Sequence, residues 1–241
     1  MNPQYIYSGN SWAVRSFETT DGTETDFTNL ALEWQIPYLD MAVKSQNNQQ
    51  AIDRLERLQP HKINIPIIFV VSEPLMDVET TVLNTKKQGK EFLLTNSIHD
   101  FRNTLLQISL NQLNQLGVPV GLIGGHSDIM PEQITGYENI SIIDSQWQQF
   151  LSDRSTNKII NGWGADIAKR IERNPHLINI TPTTHLVDTI SKQFVAWKEI
   201  EHHNLFTYCH PSRLGNELYA AHIKDKVIRF IKSNTGDYNT K

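Results

Sequence analysis

Short apolar runs recur along the chain in the pattern expected of buried β-strands. The two longest, residues 65–71 (IPIIFVV) and 118–123 (VPVGLI), are apolar at nearly every position, as is typical of strands covered on both faces. Shorter runs at residues 4–7 and 140–143 complete the set of predicted strands.

The segments between these runs carry apolar residues three or four positions apart, which is the spacing of amphipathic helices. The predicted helices cover residues 27–36, 51–58, 98–116, 186–197 and 214–231, and the polar segments 17–26 and 72–91 are predicted to be loops. Because strands and helices alternate, we expect an open parallel sheet with helices on both faces. Right-handed crossovers would bring the carboxyl ends of all strands to one edge, where such sheets bind ligands.

The length and charge of the chain are typical of a single-domain globular protein. Its 241 residues, 39% hydrophobic and 20% charged, suffice for one hydrophobic core, so residues 1–241 are predicted to form one domain. The formal net charge is −4 and no run of Lys or Arg occurs, which argues against a nucleic-acid partner.

The sequence also lacks the features of a membrane-bound or disulfide-bonded protein. The longest apolar stretch, residues 63–71, is interrupted by Asn64 and Pro66 and is too short to span a bilayer. No leader-like apolar segment stands at the amino terminus, and Cys209 is the only cysteine, which excludes an intramolecular disulfide. We therefore expect a soluble, cytoplasmic protein with no membrane partner.

The strongest candidate chemistry lies near the two ends of the chain. Ser11 follows the first predicted strand on a glycine-containing turn, and His210 directly precedes the last predicted helix. At one edge of a parallel sheet, such a pair would form a nucleophile and its base. The alternative is purely structural: Ser11 as a turn or helix-capping serine, and His210 as a helix-entry residue beside Pro211.

Three segments of the chain resemble sequence blocks of the SGNH, or GDSL-type, hydrolases. They are GNSW (9–12), SQNNQQAIDRL (45–55) and HPSRLGNELYA (210–220). Their order and spacing are similar to the family's over nearly the whole chain, and the first and last segments match most closely. This resemblance implies a flavodoxin-like three-layer α/β sandwich with a mostly parallel sheet, and a serine esterase that needs no cofactor.

The resemblance also implies roles for individual residues. Ser11 would be the nucleophile and His210 the general base. The oxyanion would be held by the backbone N–H of Ser11 and by a second backbone donor, which aligns near Lys44 or Ser45. Ser72 stands where the family has an asparagine that donates to the oxyanion, and its hydroxyl would replace that donor. An ordinary capping or loop hydroxyl is the alternative for Ser72.

One further departure from the family pattern concerns the acid of the catalytic triad. The residue three positions before His210 is Thr207, where the family has an aspartate. Asn10 also replaces the usual aspartate of the first block, but that aspartate is not the triad acid. The carboxylates that could take over the role of the acid are Glu73, Asp128, Asp144 and Glu201.

These observations predict an ester hydrolase that removes a small, acetyl-like acyl group from a small-molecule or glycan substrate. Two alternatives stay open. The chain could be a catalytically impaired SGNH-like module that binds carbohydrate or a protein partner, or an acyl or sulfuryl transferase that uses the same serine and histidine.

Two other polar motifs have simpler interpretations. His126 and Asp128 in the segment GGHSD (124–128) are metal-ligand types, but no second cluster has matching spacing, so we expect a pocket wall and no metal. The NNQQ run, residues 47–50, is interpreted as the polar start of a helix.

Overall fold

The computed structural model of the chain describes a large part of the sequence. The described residues are 2–10, 13, 29–43, 46–77, 98–125, 129–145, 147, 150, 206–207, 210–211 and 213–235.

A five-stranded, all-parallel sheet forms the centre of the molecule. Its strands are β1 (Tyr5–Gly9), β2 (Tyr38–Asp40), β3 (Ile67–Val71), β4 (Val120–Gly124) and β5 (Ile140–Asp144). They are arranged in the order β2-β1-β3-β4-β5. A separate antiparallel pair consists of β6 (Phe206–Thr207) and β7 (His210–Pro211). The mixed α/β architecture and the parallel sheet expected from the sequence are thereby confirmed.

Helices cover both faces of this sheet. They are α1 (Leu30–Trp34), α2 (Asn48–Leu58), α3 (Pro60–Ile63), α4 (Ile98–Gln115) and α5 (Arg213–Thr235). Single 3₁₀ turns occur at Pro74–Asp77 and Pro131–Ile134. None of the helices in the described ranges combines the length and the apolar character that a membrane span requires.

Alternation of side chains along the strands gives each face its own core. Tyr5 and Tyr7 of β1 belong to the cluster that α1 and α5 cover, whereas Ile6 belongs to the cluster that α2 and α4 cover. The indole N–H of Trp34 donates to the carbonyl of Ala220 at 3.2 Å and thereby joins α1 to α5. Both clusters are fully buried at their centres, as a doubly covered parallel sheet requires.

The polar NNQQ run does start a helix, as expected. The side chain of Asn47 accepts a hydrogen bond from the Gln50 N–H at 2.9 Å, and the Gln50 side chain accepts one from the Asn47 N–H at 3.2 Å. This reciprocal pair is a capping box, which satisfies donors that the first turn leaves unpaired. The helix ends at Gln59, which adopts the left-handed conformation with φ of 54°.

Several elements differ from the sequence-based expectations. The helix predicted at residues 27–36 is observed as the shorter α1, and the predicted loop 72–91 contains the 3₁₀ turn Pro74–Asp77. Strand β2 was not predicted; it is a three-residue, incompletely buried edge strand that ends at Asp40. The helix predicted at residues 186–197 lies outside the described residues.

The close approach of β1 to β3 gives a test of this packing. An added Cβ on Gly9 would lie 2.7 Å from the carbonyl oxygen of Val70, and Gly9 has φ of 148°, which favours glycine. Gly136 is a matched control, because its φ is 90° but nothing lies within 4 Å of an added Cβ. We expect Gly9→Ala to lower the free energy of unfolding by about 1–3 kcal/mol more than Gly136→Ala in urea titrations. Equal losses for the two variants would contradict this packing.

Candidate functional site

The edge formed by the carboxyl ends of the strands contains the reversal of the strand order. The chain passes from β1 outward to β2 and then returns to place β3 on the other side of β1. In open α/β sheets, ligands bind in the crevice beside such a reversal. Gly9 is the last residue of β1, and Ser72 directly follows β3, so both lie at this edge.

Two glycines allow the ends of β1 and β4 to pack closely against the end of β3. Gly9 packs against Val70 on one side, and the Gly125 N–H donates to the carbonyl of Val71 at 3.2 Å on the other. An added Cβ on Gly125 would lie 2.7 Å from that same carbonyl oxygen. Gly125, directly after β4, is therefore in close contact with the end of β3.

A buried polar cluster lies directly behind this edge, and we call it the Asn48 cluster. Each member is at most 2% exposed. The members are Asn48, Gln49, Ser72, Asp77 and Ser109. They come from the start of α2, the end of β3, the following 3₁₀ turn and the middle of α4. Such groups are tolerated in the interior only because they bond to one another.

The carboxamide of Asn48 binds both peptide groups of Ser72. Its Oδ1 accepts a hydrogen bond from the Ser72 N–H at 2.7 Å, and its Nδ2 donates to the Ser72 carbonyl at 3.2 Å. The same Nδ2 also donates to Oδ2 of Asp77 at 2.8 Å. These partners admit only one orientation of the carboxamide, because the N–H donates whereas the carbonyl and carboxylate oxygens accept.

Asp77 accepts hydrogen bonds from the start of α2 and is completely buried. Its Oδ1 accepts from the Gln49 N–H at 2.9 Å, in addition to the bond from Asn48. Burial is the largest of the effects that raise the pKa of Asp77 from its usual 3.8 to about 7. The hydrogen bonds from Gln49 and Asn48 oppose the increase, and the nearby Glu73 adds to it. Asp77 is thus a carboxyl group that titrates near neutral pH beside the candidate site.

The two described carboxylates that could replace the triad acid each bind a cation. Glu73 forms a forked pair with Arg102, whose Nε and Nη2 donate to its two oxygens at 2.7 and 3.2 Å. Asp144 accepts from the Tyr219 hydroxyl and from Lys226 Nζ, both at 2.6 Å. Each carboxylate therefore joins its strand end to a helix of the surrounding layers.

The predicted nucleophile lies between two described residues. Ser11, like Ser45, is itself outside the described residues. On either side of Ser11, Asn10 is 2% exposed and Ala13 is completely buried. The Ala13 N–H donates to the Asn10 carbonyl at 2.9 Å.

The predicted base, His210, lies in a short strand shortly before the last helix. His210 lies in β7 and its Cα is paired with that of Thr207 in β6, and α5 begins at Arg213. Ala13 and Tyr219 belong to the same core cluster. The chain just after Ser11 and the first turns of α5 therefore pack on the same face of the sheet. Asp128, Glu201 and His126 lie outside the described residues.

The sequence analysis missed Asn48 and Asp77 as members of a polar site. A signal for Asn48 exists, because it precedes Ile52 by one helical turn and so lies on the apolar face of α2. A polar residue on such a face has a buried partner to satisfy. No comparable pattern marks Asp77, which ends a 3₁₀ turn after an irregular segment.

Comparison with known proteins adds no assignment: no family model matches the chain, and no curated protein matches it. The described residues also contain no group of three His, Cys, Asp or Glu side chains that could hold a metal ion.

The raised pKa of Asp77 predicts how the stability depends on pH. Between about pH 4 and 7 the folded state retains the proton of Asp77 and the unfolded chain releases it, so this group lowers stability as pH rises. We expect Asp77→Asn to gain stability relative to the wild type by about 1.4 kcal/mol per pH unit across this window. Urea titrations at pH 5 and pH 7 measure that difference.

Ser109→Ala is the control for this measurement. It removes a hydrogen bond of the same cluster, the one that Gln49 Nε2 donates at 3.0 Å, but no titratable group. Its stability relative to the wild type should be the same at both pH values. If the difference in unfolding free energy between Asp77→Asn and the wild type were the same at both pH values, the raised pKa of Asp77 would be disproved.

Proposed function

We propose that the protein is an ester hydrolase of the SGNH type with a flavodoxin-like sheet. Ser11 is the nucleophile and His210 the general base. The observation that carries the proposal is the position of the serine block, which begins at Gly9 where β1 ends beside the reversal of the strand order. A nucleophile two residues beyond Gly9 stands where sheets of this kind bind ligands.

The strand order supports the finer fold assignment. The order β2-β1-β3-β4-β5 with all strands parallel is that of flavodoxin-like doubly wound proteins. The last helix supports the pairing of the two blocks, because α5 follows His210 directly and shares a core cluster with Ala13. Both blocks therefore approach the same side of the sheet from opposite ends of the sequence.

The chemistry follows from the residue types. The Ser11 hydroxyl attacks the ester carbonyl while His210 accepts its proton, and the carbonyl oxygen becomes an oxyanion. His210 then returns the proton to the departing alcohol, which leaves an acyl-serine. Water, activated by the same histidine, releases the acid. We assign the oxyanion to the backbone N–H of Ser11 and to a backbone donor near Ser45.

Ser72 has a narrower role in this proposal than the sequence alone implies. Its backbone N–H already donates to Asn48, so a contribution to the oxyanion would come from its hydroxyl. The loss of one oxyanion donor typically lowers the rate by about 10²–10³-fold. The proposed enzyme is therefore slower than one with a complete oxyanion hole.

The contacts of the described carboxylates favour a Ser–His dyad. Thr207 is paired with His210 across the β6–β7 ladder, and a threonine cannot carry the negative charge of a triad acid. Glu73 and Asp144 hold ion pairs with Arg102 and Lys226. Without an acid partner, a serine hydrolase loses about 10⁴-fold in rate. A small, activated acyl group on a small molecule or glycan is the substrate class that suits such a weakened site.

The second candidate function is a non-catalytic module of the same fold that binds carbohydrate or a protein partner. Two observations favour it: Thr207 takes the position of the acid, and the Ser72 N–H already donates to a side chain. This alternative predicts no ester hydrolysis that depends on Ser11.

Hydrolysis of p-nitrophenyl acetate separates the two candidates. We expect Ser11→Ala and His210→Ala each to lower kcat/KM by about 10³-fold or more, and the double variant to lose no more than either. This non-additivity is expected because the two residues act as one unit. The measurement is the rate of p-nitrophenolate release by purified proteins with equal circular dichroism spectra.

Ser8→Ala is the matched control for the nucleophile. Ser8 lies in β1, three positions before Ser11, and its hydroxyl is completely buried without a hydrogen-bond partner. Removal of such a hydroxyl leaves no partner unsatisfied, so this variant should retain both its fold and its hydrolysis rate. Equal rates for the wild type and Ser11→Ala would reject the catalytic proposal.

A further inference from the structure

A side chain, instead of a neighbouring strand, holds the first peptide beyond β3. Up to Val71, β3 is paired with β4, and the carbonyl of Val71 accepts from the Gly125 N–H. At Ser72, both the N–H and the carbonyl bind the carboxamide of Asn48. Asn48 thus extends the hydrogen bonding of the strand by one residue at the edge of the sheet.

The segment after β3 is attached to the start of α2 at two points. Ser72 binds the Asn48 side chain, and Asp77 binds both that side chain and the Gln49 N–H. The amino-terminal turn of a helix favours a negative charge, which suits a carboxylate at this position. Residues 72–77 are therefore fixed to α2 at both ends.

Asp77 also fixes which way the carboxamide of Asn48 faces. If that carboxamide turned over, Nδ2 would face the Ser72 N–H, and Oδ1 would face two acceptors, the Ser72 carbonyl and the Asp77 carboxylate. Each buried group left unpaired costs about 1–3 kcal/mol. The observed orientation is therefore strongly preferred.

The register of the sheet relates this clamp to the proposed nucleophile. Gly9 is paired with Val70 across β1 and β3. Ser11 and Ser72 each stand two positions beyond that pair in the sequence. Ser72 directly follows β3, so the peptide that Asn48 holds lies at the same edge as Gly9, where the serine block begins.

We propose that Asn48, oriented by Asp77, is a positioning residue for ester hydrolysis at this edge. By fixing the Ser72 peptide, it sets the position of the β3 side of the crevice relative to the nucleophile. The inference rests on the proposed function. A displacement of about 1 Å in such a wall can lower a rate by about 10²-fold, because the ester is no longer held in line for attack.

Asn48→Ala and Ser109→Ala test the inference as a pair. Both remove a buried hydrogen-bonding side chain of the Asn48 cluster, but only Asn48 binds Ser72. We expect Asn48→Ala to lower kcat for p-nitrophenyl acetate by about 10–100-fold with KM changed less than about threefold. Ser109→Ala should stay within about twofold of the wild type in both constants.

A second variant and a second measurement guard against simple loss of the fold. Asn48→Asp keeps the size of the side chain, but its carboxylate cannot donate to the Ser72 carbonyl or to Asp77. We expect it to lower kcat like Asn48→Ala. Amide hydrogen exchange should accelerate at Ser72 in Asn48→Ala, which removes the acceptor of the Ser72 N–H, and stay at the wild-type rate in Ser109→Ala. All proteins are compared where urea titrations show them folded.

The outcomes distinguish the failure of this inference from the failure of the proposed function. If the wild type hydrolyses the ester through Ser11 and Asn48→Ala is as active as Ser109→Ala, the positioning role is wrong and the proposed function stands. If the wild type shows no hydrolysis that depends on Ser11, both are wrong. Unchanged exchange at Ser72 in Asn48→Ala would overturn the clamp itself.

Discussion

The burial of β3 is the constraint on which the rest of the structure depends. Its residues, Ile67–Val71, are at most 2% exposed, because β1 and β4 flank it in the sheet and helices cover both faces. A strand buried on every side has to pair its backbone N–H and C=O groups within the protein, since each one left unpaired costs about 1–3 kcal/mol. The ladders with β1 and β4 meet this requirement as far as Val71, and Asn48 meets it for the peptide of Ser72. The close approach of Gly9 and Gly125 follows from the same geometry, because only residues without a Cβ fit against the carbonyls at the end of this strand.

The use of the Asn48 side chain to bind the Ser72 peptide requires further hydrogen-bond partners deeper in the interior. An amide side chain brought in to satisfy one peptide carries a second N–H, which needs an acceptor of its own, and Asp77 supplies it. Asp77 in turn requires donors, and the Gln49 N–H at the start of α2 is one of them. The Asn48 cluster is therefore best understood as a single network in which each member satisfies another. Removal of Asn48 would leave both the Ser72 backbone groups and Asp77 incomplete, whereas Ser109 bonds to the side chain of Gln49. The position of Asn48 in the network is therefore suited to holding a loop in one position.

The sequence predicted the fold more fully than the site, and the difference has a physical origin. The strands β3 and β4 are apolar on both faces and need no partner to be recognised, and α2, α4 and α5 repeat at helical spacing. Strand β2 and the β6–β7 pair are only two or three residues long, which is too short for a periodic pattern to identify them. No local pattern marks the Asn48 cluster either, because its members lie far apart in the sequence and meet only when α2, the end of β3 and α4 pack together. The blocks around Ser11 and His210 could be found because short segments carry them. The contacts of Glu73 and Asp144 could not be predicted from the sequence, because each is made with a helix that is distant in sequence.

The hydrogen-bond and ion-pair partners of the three buried carboxylates, Glu73, Asp77 and Asp144, bear on the chemistry of this edge. Glu73 and Asp144 are each matched by a cation, so their charges stabilise the packing of α4 and α5 against the strand ends. Asp77 instead accepts hydrogen bonds from neutral amide groups of Asn48 and Gln49, and its burial raises its pKa accordingly. Within the described part of the chain, each of these three carboxylates is thus already engaged in packing, and His210 at the start of α5 is paired with Thr207 across a two-residue ladder. In the proposed hydrolase, the rate would depend less on the charge behind the base than on how well the ester is placed before the nucleophile, because placement alone can supply several kcal/mol of the barrier reduction. The rigid attachment of residues 72–77 to α2 is the structural feature that meets this demand.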